Sequence, residues 1–494
     1  MLDDPLIIQI PPGVPPLAAV QARLAVAGAC GGRGRCGTCA VTLVGERLPP
    51  PLPADRRWID TAGLARGQRL ACTLHPGEYL VSGARTPATV TGHAWDRIIS
   101  RDFVPGPAGP GIAIDIGTTT VMATAFDKGG MPGRVWSAPN LQRRYGADVM
   151  SRVSASAEPE GVCDLRRAVL EPMAAVVRAA AVSIERPAWI VAVGNTVMQH
   201  LVAGIDATSL GISPFAPREQ GLGWHSVCVP VDTDGTGWQV SLVPPLGGLV
   251  GSDVVASIAL IRKRAVEDPW LLVDMGTNCE MALWAHDRLL FTSVPAGPAF
   301  EGGGLSCGCV AGDGAVEHVE AKGDALGLTV IGGGAPVGLC GSAAIDLCAV
   351  LGSSGRMEQS GRLVEDPCVQ LALPGLSFTQ RDVREMQKAK AAVEIGVRAL
   401  LTHASLPLKD LRSLVLCGAF ARGLQLDNAQ AIGLIPRMDR GRIMVAGNGA
   451  LLGAGLCQDP GMVANLQRRG QRVILQTEGF AARFAEAVRL RPWE

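Results

Sequence analysis

The sequence predicts a multidomain chain of α/β and α+β class, and three observations carry the prediction. The chain has 494 residues, about three times an average domain. Its first part, residues 1–84, holds closely spaced cysteines set among glycines, the mark of a small α+β domain built around a bound group. Further on, an apolar strand running into aspartate, glycine and threonine occurs twice, around Asp115 and again around Asp274, which predicts a duplicated α/β lobe.

Composition narrows the class. Glycine accounts for 62 of 494 residues, well above the usual ~7%. It has no Gly-X-Y period, so collagen is excluded. Hydrophobic residues make up 48%, enough for sizeable cores, so the glycine belongs in tight turns and close backbone approaches rather than in disorder. With 45 basic and 45 acidic residues the formal charge is zero, which leaves no electrostatic footprint for nucleic acid. No apolar run approaches the ~18 residues of a membrane span. The start, Met-Leu-Asp-Asp-Pro, lacks the basic region of a signal peptide. A cytoplasmic protein with reduced thiols is expected, and its 14 cysteines then point to metal or redox chemistry rather than disulfides.

The elements follow in order. Leu6–Ile10 reads as a strand, Pro11–Pro15 as a turn and Leu17–Ala29 as an alanine-rich helix. Cys30, Cys36 and Cys39 are spaced C-x5-C-x2-C among Gly31, Gly32, Gly34 and Gly37. Cys39–Val44 and Tyr79–Val81 read as strands, and Cys72 sits in an apolar stretch read as another. A 2Fe–2S cluster needs four thiolates converging on two irons, and glycine lets a loop wrap them closely. A four-cysteine zinc site usually shows two C-x2-C pairs, whereas here there is one. Cys30, Cys36, Cys39 and Cys72 are therefore the predicted cluster ligands. The order of elements resembles the β-grasp 2Fe–2S ferredoxins, with a first gap of five residues similar to the adrenodoxin-type branch.

Residues 85–109 are rich in proline and glycine and read as a linker, semi-rigid because proline favours extended backbone. Lobe I is placed at 110–266 and lobe II at 267–494. In each, the glycine of the Asp-x-Gly-Thr turn (Gly117, Gly276) lets backbone N–H groups face a phosphate. Thr118, Thr119 and Thr120 in the first turn, and Thr277 and Asn278 in the second, add donors. Asp115 and Asp274 lie at strand ends, suited to hydrated Mg²⁺. No Gly-x4-Gly-Lys-Ser/Thr loop is present. A third strand, Ser413–Cys417, runs into Gly418 and Ala419, small enough for a flat base or ribose to pack on. A small-residue turn at Gly447–Gly455 enters a helix. These elements resemble the superfamily of acetate and sugar kinases, heat-shock chaperones and actin, which implies two RNase H-like lobes with ATP between them.

Further stretches are Tyr145–Arg152, Gly194–His200, Pro295–Gly302, Pro336–Asp346 and Ala431–Pro436. Together with the ferredoxin module they resemble the reductive activators of corrinoid enzymes. The resemblance implies a 2Fe–2S cluster, ATP with Mg²⁺, and return of a partner's Co(II) corrinoid to Co(I). The partner would be a corrinoid protein or cobalamin-dependent methyltransferase, with an upstream electron donor, no nucleic acid and no membrane. Gly341 and Ser342 stand where family members often carry Gly-Ser-Gly, and are placed with the nucleotide contacts. Cys279 stands where glycine is usual. Asp148, Asp253 and Glu301 are the carboxylates weighed for orienting an attacking water, and spacing does not choose among them. His200 is read as structural in preference to a cobalt ligand. Cys307, Cys309, Cys340 and Cys417 are read as buried thiols. Thr379–Ala404 reads as an amphipathic helix opened by a Thr379/Asp382 capping box, packed on a sheet or forming a homodimer interface. The alternatives are an ATP-driven electron-transfer activator of a non-corrinoid enzyme, a small-molecule kinase, and a non-enzymatic nucleotide-binding redox protein.

Overall fold

The computed structural model describes residues 6–21, 26, 39–45, 48–59, 61–82, 91–93, 109–146, 148–184, 186–217, 223–231, 237–323, 325–364, 367–371, 376–418, 420–475 and 479–493. They form two compact bodies, one from Met1–Asp253 with Ala454–Gln458, the other from Val254–Gly453 with Asp459–Glu494. Among the described residues no helix is long and apolar enough to cross a membrane.

The first body begins with a small sheet of strands β1 (Leu6–Ile10), β2 (Ala40–Leu43), β3 (Gln68–Leu70) and β4 (Gly77–Ser82), in the order β1-β4-β2-β3. Along β1 the side chains alternate: Ile8 and Ile10 are buried while Ile7 is exposed, the period of a sheet with one wet face. The helix Pro16–Gln21 covers the dry face with Leu17 and Val20, which pack with Val41, Leu43 and Val81. Leu17–Ala29 was expected to be helical throughout; 22–25 and 27–30 lie outside the described residues. Cys72 does not lie in a strand. β3 ends at Leu70, and Ala71–Thr73 curls into a 3₁₀ turn. The Thr73 hydroxyl donates to the Leu70 carbonyl at 2.8 Å, a local bond that competes with strand continuation.

Three residues of the predicted linker, Thr91–His93, form strand β5. It is the edge of a seven-stranded sheet with β6 (Gly111–Ile116), β7 (Thr120–Phe126), β8 (Pro132–Pro139), β9 (Trp189–Gly194), β10 (His225–Pro230) and β11 (Gly237–Leu242), ordered β10-β11-β9-β6-β7-β8-β5. β6 is central and buried along most of its length, so it reads as a continuous apolar run. The helix Gly161–Ala181 supplies a helical stripe of Leu165, Val169, Met173 and Val177 to the same core.

The second body repeats the plan. β12 (Trp270–Met275), β13 (Asn278–Ala285) and β14 (Arg288–Pro295) form an antiparallel meander. After the smaller strands β15 (Ala315–Lys322), β16 (Ala325–Val330), β17 (Gly338–Leu339), β18 (Cys368–Gln370) and β19 (Ser377–Thr379) come β20 (Ser413–Cys417), β21 (Ile443–Gly447) and β22 (Gly470–Arg472). The main sheet is ordered β21-β20-β12-β13-β14-β22. In both bodies the aspartate strand has a parallel neighbour on one side and an antiparallel hairpin partner on the other: β9-β6-β7 and β20-β12-β13. The duplicated lobe is thus present at the level of strand pairing.

The Gln380–His403 helix starts as its capping box predicts, with the Thr379 N–H and hydroxyl donating to Asp382 Oδ2 at 2.7 and 2.8 Å. It packs on β13 and β14 through Val383, Met386, Val393, Val397 and Leu400. Gly396 lets Met281 pack close to the helix, since a Cβ there would come within 2.7 Å of Met281 Sδ and oblige that side chain to shift. Each such fully buried aliphatic side chain contributes about 1.5–3 kcal/mol.

Candidate functional site

Two of the four predicted cluster cysteines are described, and they converge. Cys39 Sγ and Cys72 Sγ are 3.3 Å apart, with Cys39 buried and Cys72 half-buried. Two thiolates on one tetrahedral metal at ~2.3 Å would stand roughly 3.8 Å apart, so the pair fits ligands of a shared iron. Cys30 and Cys36 lie outside the described residues. The Cys72 turn is held from beneath by Asp55, whose side chain is buried. Its Oδ1 accepts from Leu70 N at 2.7 Å and the Thr73 hydroxyl at 3.1 Å, and its Oδ2 from Leu52 N at 2.7 Å. Ala71 N donates to the Cys39 carbonyl at 2.8 Å, which ties the two cysteine segments together.

The first Asp-x-Gly-Thr turn, the first candidate phosphate loop, lies between β6 and β7. Asp115 is half-buried near the end of β6, in register with Met122 and Val193. Gly117 permits the turn: a Cβ would stand 2.6 Å from the Thr120 carbonyl. Thr118 and Thr119 form the turn and Thr120 opens β7. The loop is braced from behind. Asn140 donates through Nδ2 to the Gly117 carbonyl and through its backbone N–H to the Thr119 carbonyl, both at 2.9 Å. Arg152 Nη2 donates to the Thr118 carbonyl at 2.5 Å. The same guanidinium bonds the Gly146 carbonyl at 3.1 Å and Gln142 Oε1 at 3.2 Å. Burial pulls Arg152 down to about 9, opposed by the charge of Asp148. Asp148 caps the Val149–Ser156 helix, accepting from Ser151 N at 2.8 Å and Ser151 Oγ at 2.7 Å.

At the end of β9, Asn195 caps the Thr196–Ala203 helix by accepting from Val197 N and Met198 N. Gly251 allows the Ser252–Lys263 helix to begin beside it, since a Cβ would meet the Gly194 carbonyl at 2.2 Å. Asp253 is the second residue of that helix. His200 is buried, with Nδ1 2.7 Å from the Thr196 carbonyl of its own helix.

The second Asp-x-Gly-Thr turn, the second candidate phosphate loop, lies between β12 and β13. Asp274 is half-buried and faces Glu280 across the hairpin. Thr277 and Glu301 meet there: the Thr277 backbone N–H and hydroxyl both donate to Glu301 Oε1, at 3.0 and 2.9 Å. Asn278 opens β13 beside it. Cys279 is buried in β13, and burial followed by the charges of Glu280 and Asp274 pushes its thiol well up. Gly418, after β20, has φ +96°, and a Cβ there would meet the Met275 carbonyl at 2.5 Å and Asp274 Oδ1 at 3.0 Å. Its neighbour Ala419 lies outside the described residues. Gly276 is less tightly enclosed, a Cβ there coming to 3.3 Å from the Asn278 carbonyl oxygen. Gly341 opens the Gly341–Ser353 helix hard against the Phe300 carbonyl, and Ser342 Oγ donates to the Glu317 carbonyl at 2.8 Å.

Comparison with known families bears on the whole chain. A model of the 2Fe-2S iron-sulfur cluster binding domain matches residues 4–77. The RACo middle region matches 110–262, and the C-terminal domain of RACo, the ASKHA domain, matches 268–488. The chain belongs to the RACo-like family. Among curated relatives, the RACo-like chain is 31% identical over 401 residues to the corrinoid activation enzyme RamQ of Eubacterium limosum, covering 73% of this chain and 66% of that one. It is 29% identical over 234 residues to the [Co(II) methylated amine-specific corrinoid protein] reductase of Methanosarcina barkeri, covering 42% of this chain and 43% of that one. It thus spans just under two thirds of the first relative's length and less than half of the second's. A solved structure described as a reductive activator for corrinoid,iron-sulfur protein superposes with a TM-score of 0.66 at 23% identity, covering 98% of this chain and 96% of that one. That likeness is one of fold.

Several positioning residues of the RACo-like chain escape a reading by motif. Asp55, Asn140 and Arg152 bear on the cluster turn and the first loop through buried hydrogen bonds, which no local pattern announces. Arg152 closes the Tyr145–Arg152 stretch, so its presence was visible while its target was not. A fourth is Asp346, buried in the Gly341–Ser353 helix. It accepts from Asn428 Nδ2 at 2.7 Å and Val319 N at 3.3 Å, and its Oδ2 is 3.0 Å from His318 Nδ1. Burial raises its pKa against these bonds.

Proposed function

We propose that this chain is an ATP-dependent reductive activator that passes an electron to the Co(II) corrinoid of a partner methyltransferase or corrinoid protein and so restores Co(I). The observation that carries the reading is the pairing, in one chain, of converging Cys39 and Cys72 thiols with two Asp-x-Gly-Thr hairpins on matching sheets. Cys30, Cys36, Cys39 and Cys72 would hold the 2Fe–2S cluster. When bound, the cluster supplies a single low-potential electron, at about −400 mV for plant-type centres.

The resemblance implies a Co(II)/Co(I) couple lower still, so the cluster alone would leave most corrinoid oxidised. ATP assists only by binding two conformations with different affinity. Asp115 in the first body and Asp274 in the second each sit near the end of a strand, where a carboxylate would suit hydrated Mg²⁺. Thr118, Thr119, Thr120, Thr277 and Asn278 donate to phosphate oxygens, and Gly117 and Gly276 turn the backbone toward them. Gly418 leaves a side-chain-free surface beside Asp274 for the nucleoside, with Ala419 next to it, and Gly341 and Ser342 open a further helix toward the nucleotide. Of the three carboxylates weighed for orienting water, Glu301 is favoured because it already touches a phosphate-loop residue. Asp148 is committed to capping a helix and offsetting Arg152, and Asp253 belongs to the first turn of the Ser252–Lys263 helix.

In this reading the setting is cytoplasmic and an upstream reductant feeds the cluster. The test is anaerobic. The cluster-loaded protein is reduced and mixed with ATP–Mg²⁺ and Co(II) corrinoid proteins, and the Co(II) absorbance is followed. Loss of Co(II) that requires ATP supports the reading, and identical traces with and without ATP for every corrinoid protein refute it.

A further inference from the structure

Two cysteines of the second body lie side by side outside both candidate phosphate loops. The segment Cys307–Cys309 runs parallel to β17. Gly308 pairs with Leu339, Leu339 N donates to the Cys307 carbonyl at 2.7 Å, and Cys309 N donates to the Leu339 carbonyl at 2.9 Å. One step along this register, Cys309 lies opposite Cys340. Cys340 is still extended there, and its N–H donates to the Val316 carbonyl at 3.0 Å on the other side. Neighbouring strands stand about 4.8 Å apart, with paired side chains on one face. That spacing falls within the ~4.4–6.8 Å between the Cα atoms of a disulfide. The Cys309 side chain leans over Gly338, where a Cβ would stand 2.9 Å from its Sγ, and a turn about χ1 carries the sulfur toward Cys340.

The pair is within reach of a small reagent. Both residues are thiols, Cys309 half-buried and Cys340 buried. Val310 and Val337, which flank them, are 71% and 65% exposed. Burial, and then the charge of Cys340, pushes the Cys309 thiol up to about 11. It stays protonated at neutral pH, which suits a response to sustained oxidant rather than a fast catalytic dithiol.

A bond between these sulfurs would pull on the candidate nucleotide site from two sides. The Cβ atoms of a disulfide sit ~3.8 Å apart, about 1 Å closer than the strand spacing. The Cys309 carbonyl packs on Gly302, where a Cβ would come within 2.2 Å of it, and Gly302 follows Glu301, which holds Thr277. Cys340 precedes Gly341 and Ser342. Its Sγ donates to the Val316 carbonyl at 2.9 Å and lies 3.1 Å from Ser342 Oγ, and oxidation removes the proton it donates.

We infer that Cys309 and Cys340 form a reversible disulfide that clamps the Glu301 loop to the start of the Gly341–Ser353 helix and slows nucleotide turnover. The effect on turnover rests on the function proposed above, whereas the disulfide does not. The oxidant is a small-molecule disulfide such as oxidised glutathione. The Cys309 thiolate attacks one of its sulfurs and expels one thiol, and Cys340 then loses its proton and displaces the second. One external S–S bond breaks and one internal S–S bond forms, while two electrons and two protons leave on two glutathione thiols.

The test treats the full-length, cluster-loaded protein anaerobically with oxidised glutathione. Remaining thiols are alkylated, unreduced peptides are mapped by mass spectrometry, and ATPase is measured in parallel. A peptide pair joined through Cys309 and Cys340 is expected. Turnover should fall about tenfold, since a misplacement of ~1 Å can cost up to ~10²-fold. Dithiothreitol should reverse both changes. Cys309→Ser, close in size and half-buried, should lose the link and keep its turnover in oxidised glutathione, and Cys340→Ser should lose the link as well. Cys307→Ser should keep both the link and the inhibition. A Cys307–Cys309 link, glutathione retained on Cys309, or undiminished inhibition of Cys309→Ser would each overturn the inference. Equal, measurable turnover in both redox states of linked protein would overturn the clamp. A mapped link in protein without ATPase in either state would refute the proposed function and support the disulfide site.

Discussion

Thr277 gives both its backbone N–H and its hydroxyl to a single oxygen of Glu301. Convergent donors of that kind are what a phosphate oxygen needs, so on the proposed reading the carboxylate would compete with a nucleotide for one pair of hydrogen bonds. Glu301→Ala should therefore bind ATP–Mg²⁺ about threefold to tenfold more tightly, by removing a competing anion worth roughly 1 kcal/mol. If Glu301 also orients the attacking water, turnover in the same variant falls by about 10²-fold or more. Calorimetry and steady-state ATPase assays separate the two effects. A variant that binds ATP more weakly than wild type would show instead that Glu301 only supports the loop.

Arg152 braces the first loop from within the core, and its removal strands buried acceptors. Arg152→Leu leaves the Thr118 and Gly146 carbonyls and Gln142 Oε1 without this donor. Each unsatisfied group costs about 1–3 kcal/mol, partly offset because a buried charge is also removed, so a net loss of about 2–4 kcal/mol is expected. Denaturant unfolding reads the stability and ATP titration reads the loop, with KM expected to rise. Arg152→Lys should rescue little, since a single ammonium cannot span three acceptors in a plane. Wild-type stability and KM in Arg152→Leu would remove the bracing role.

The contrast between Arg152 and Thr118 shows where sequence reasoning reaches and where it stops. Thr118 announces itself because a strand, an aspartate, a glycine and hydroxyls in sequence have one local consequence, a tight donor-rich turn. That is why both hairpins and the Thr379/Asp382 cap were legible. Arg152 acts across 34 residues of chain on a backbone carbonyl, and Asp55 across 15 and 18 on Leu70 and Thr73. Such contacts depend on packing, which periodicity does not encode. Cys72 illustrates the same limit on a smaller scale. Its apolar neighbours have strand composition, but a threonine hydroxyl bonding three residues back turns the chain into a 3₁₀ curl.

The Asp55 network predicts an effect on the cluster without a ligand being touched. Asp55→Ala removes the acceptor of Leu70 N, Leu52 N and the Thr73 hydroxyl, freeing the turn that presents Cys72. The expected outcome is protein that takes up the cluster on reconstitution but loses it faster, seen as decay of visible absorbance and of the reduced-state EPR signal. Cys72→Ala should lose the cluster outright. Asp55→Asn, which keeps one carbonyl acceptor, should fall between them. A cluster lifetime in Asp55→Ala equal to wild type would mean that Cys72 is positioned by the sheet alone.

Asp346 carries a pH dependence whose sign follows from its burial. Burial raises its folded-state pKa, while hydrogen bonds from Asn428, His318 and Val319 pull the other way without cancelling it. Below the ordinary aspartate value, near ~3.9, the group is protonated in both folded and unfolded chains and contributes its full stability. As the pH rises, the unfolded chain gives up the proton first, so that contribution is lost until the raised folded pKa has been passed. Asp346→Asn has no such group. The stability of wild type minus that of the variant should therefore decrease as pH rises from about 4 toward neutrality and then level off. Carboxylates common to both proteins, including Asp287, Glu358 and Glu486, which their arginine partners hold low, cancel in the difference. Denaturant melts of both proteins across that range provide the measurement. Parallel curves would mean that the Asn428, His318 and Val319 bonds fully compensate the burial, and Asp346 would then be a pH-neutral part of the core.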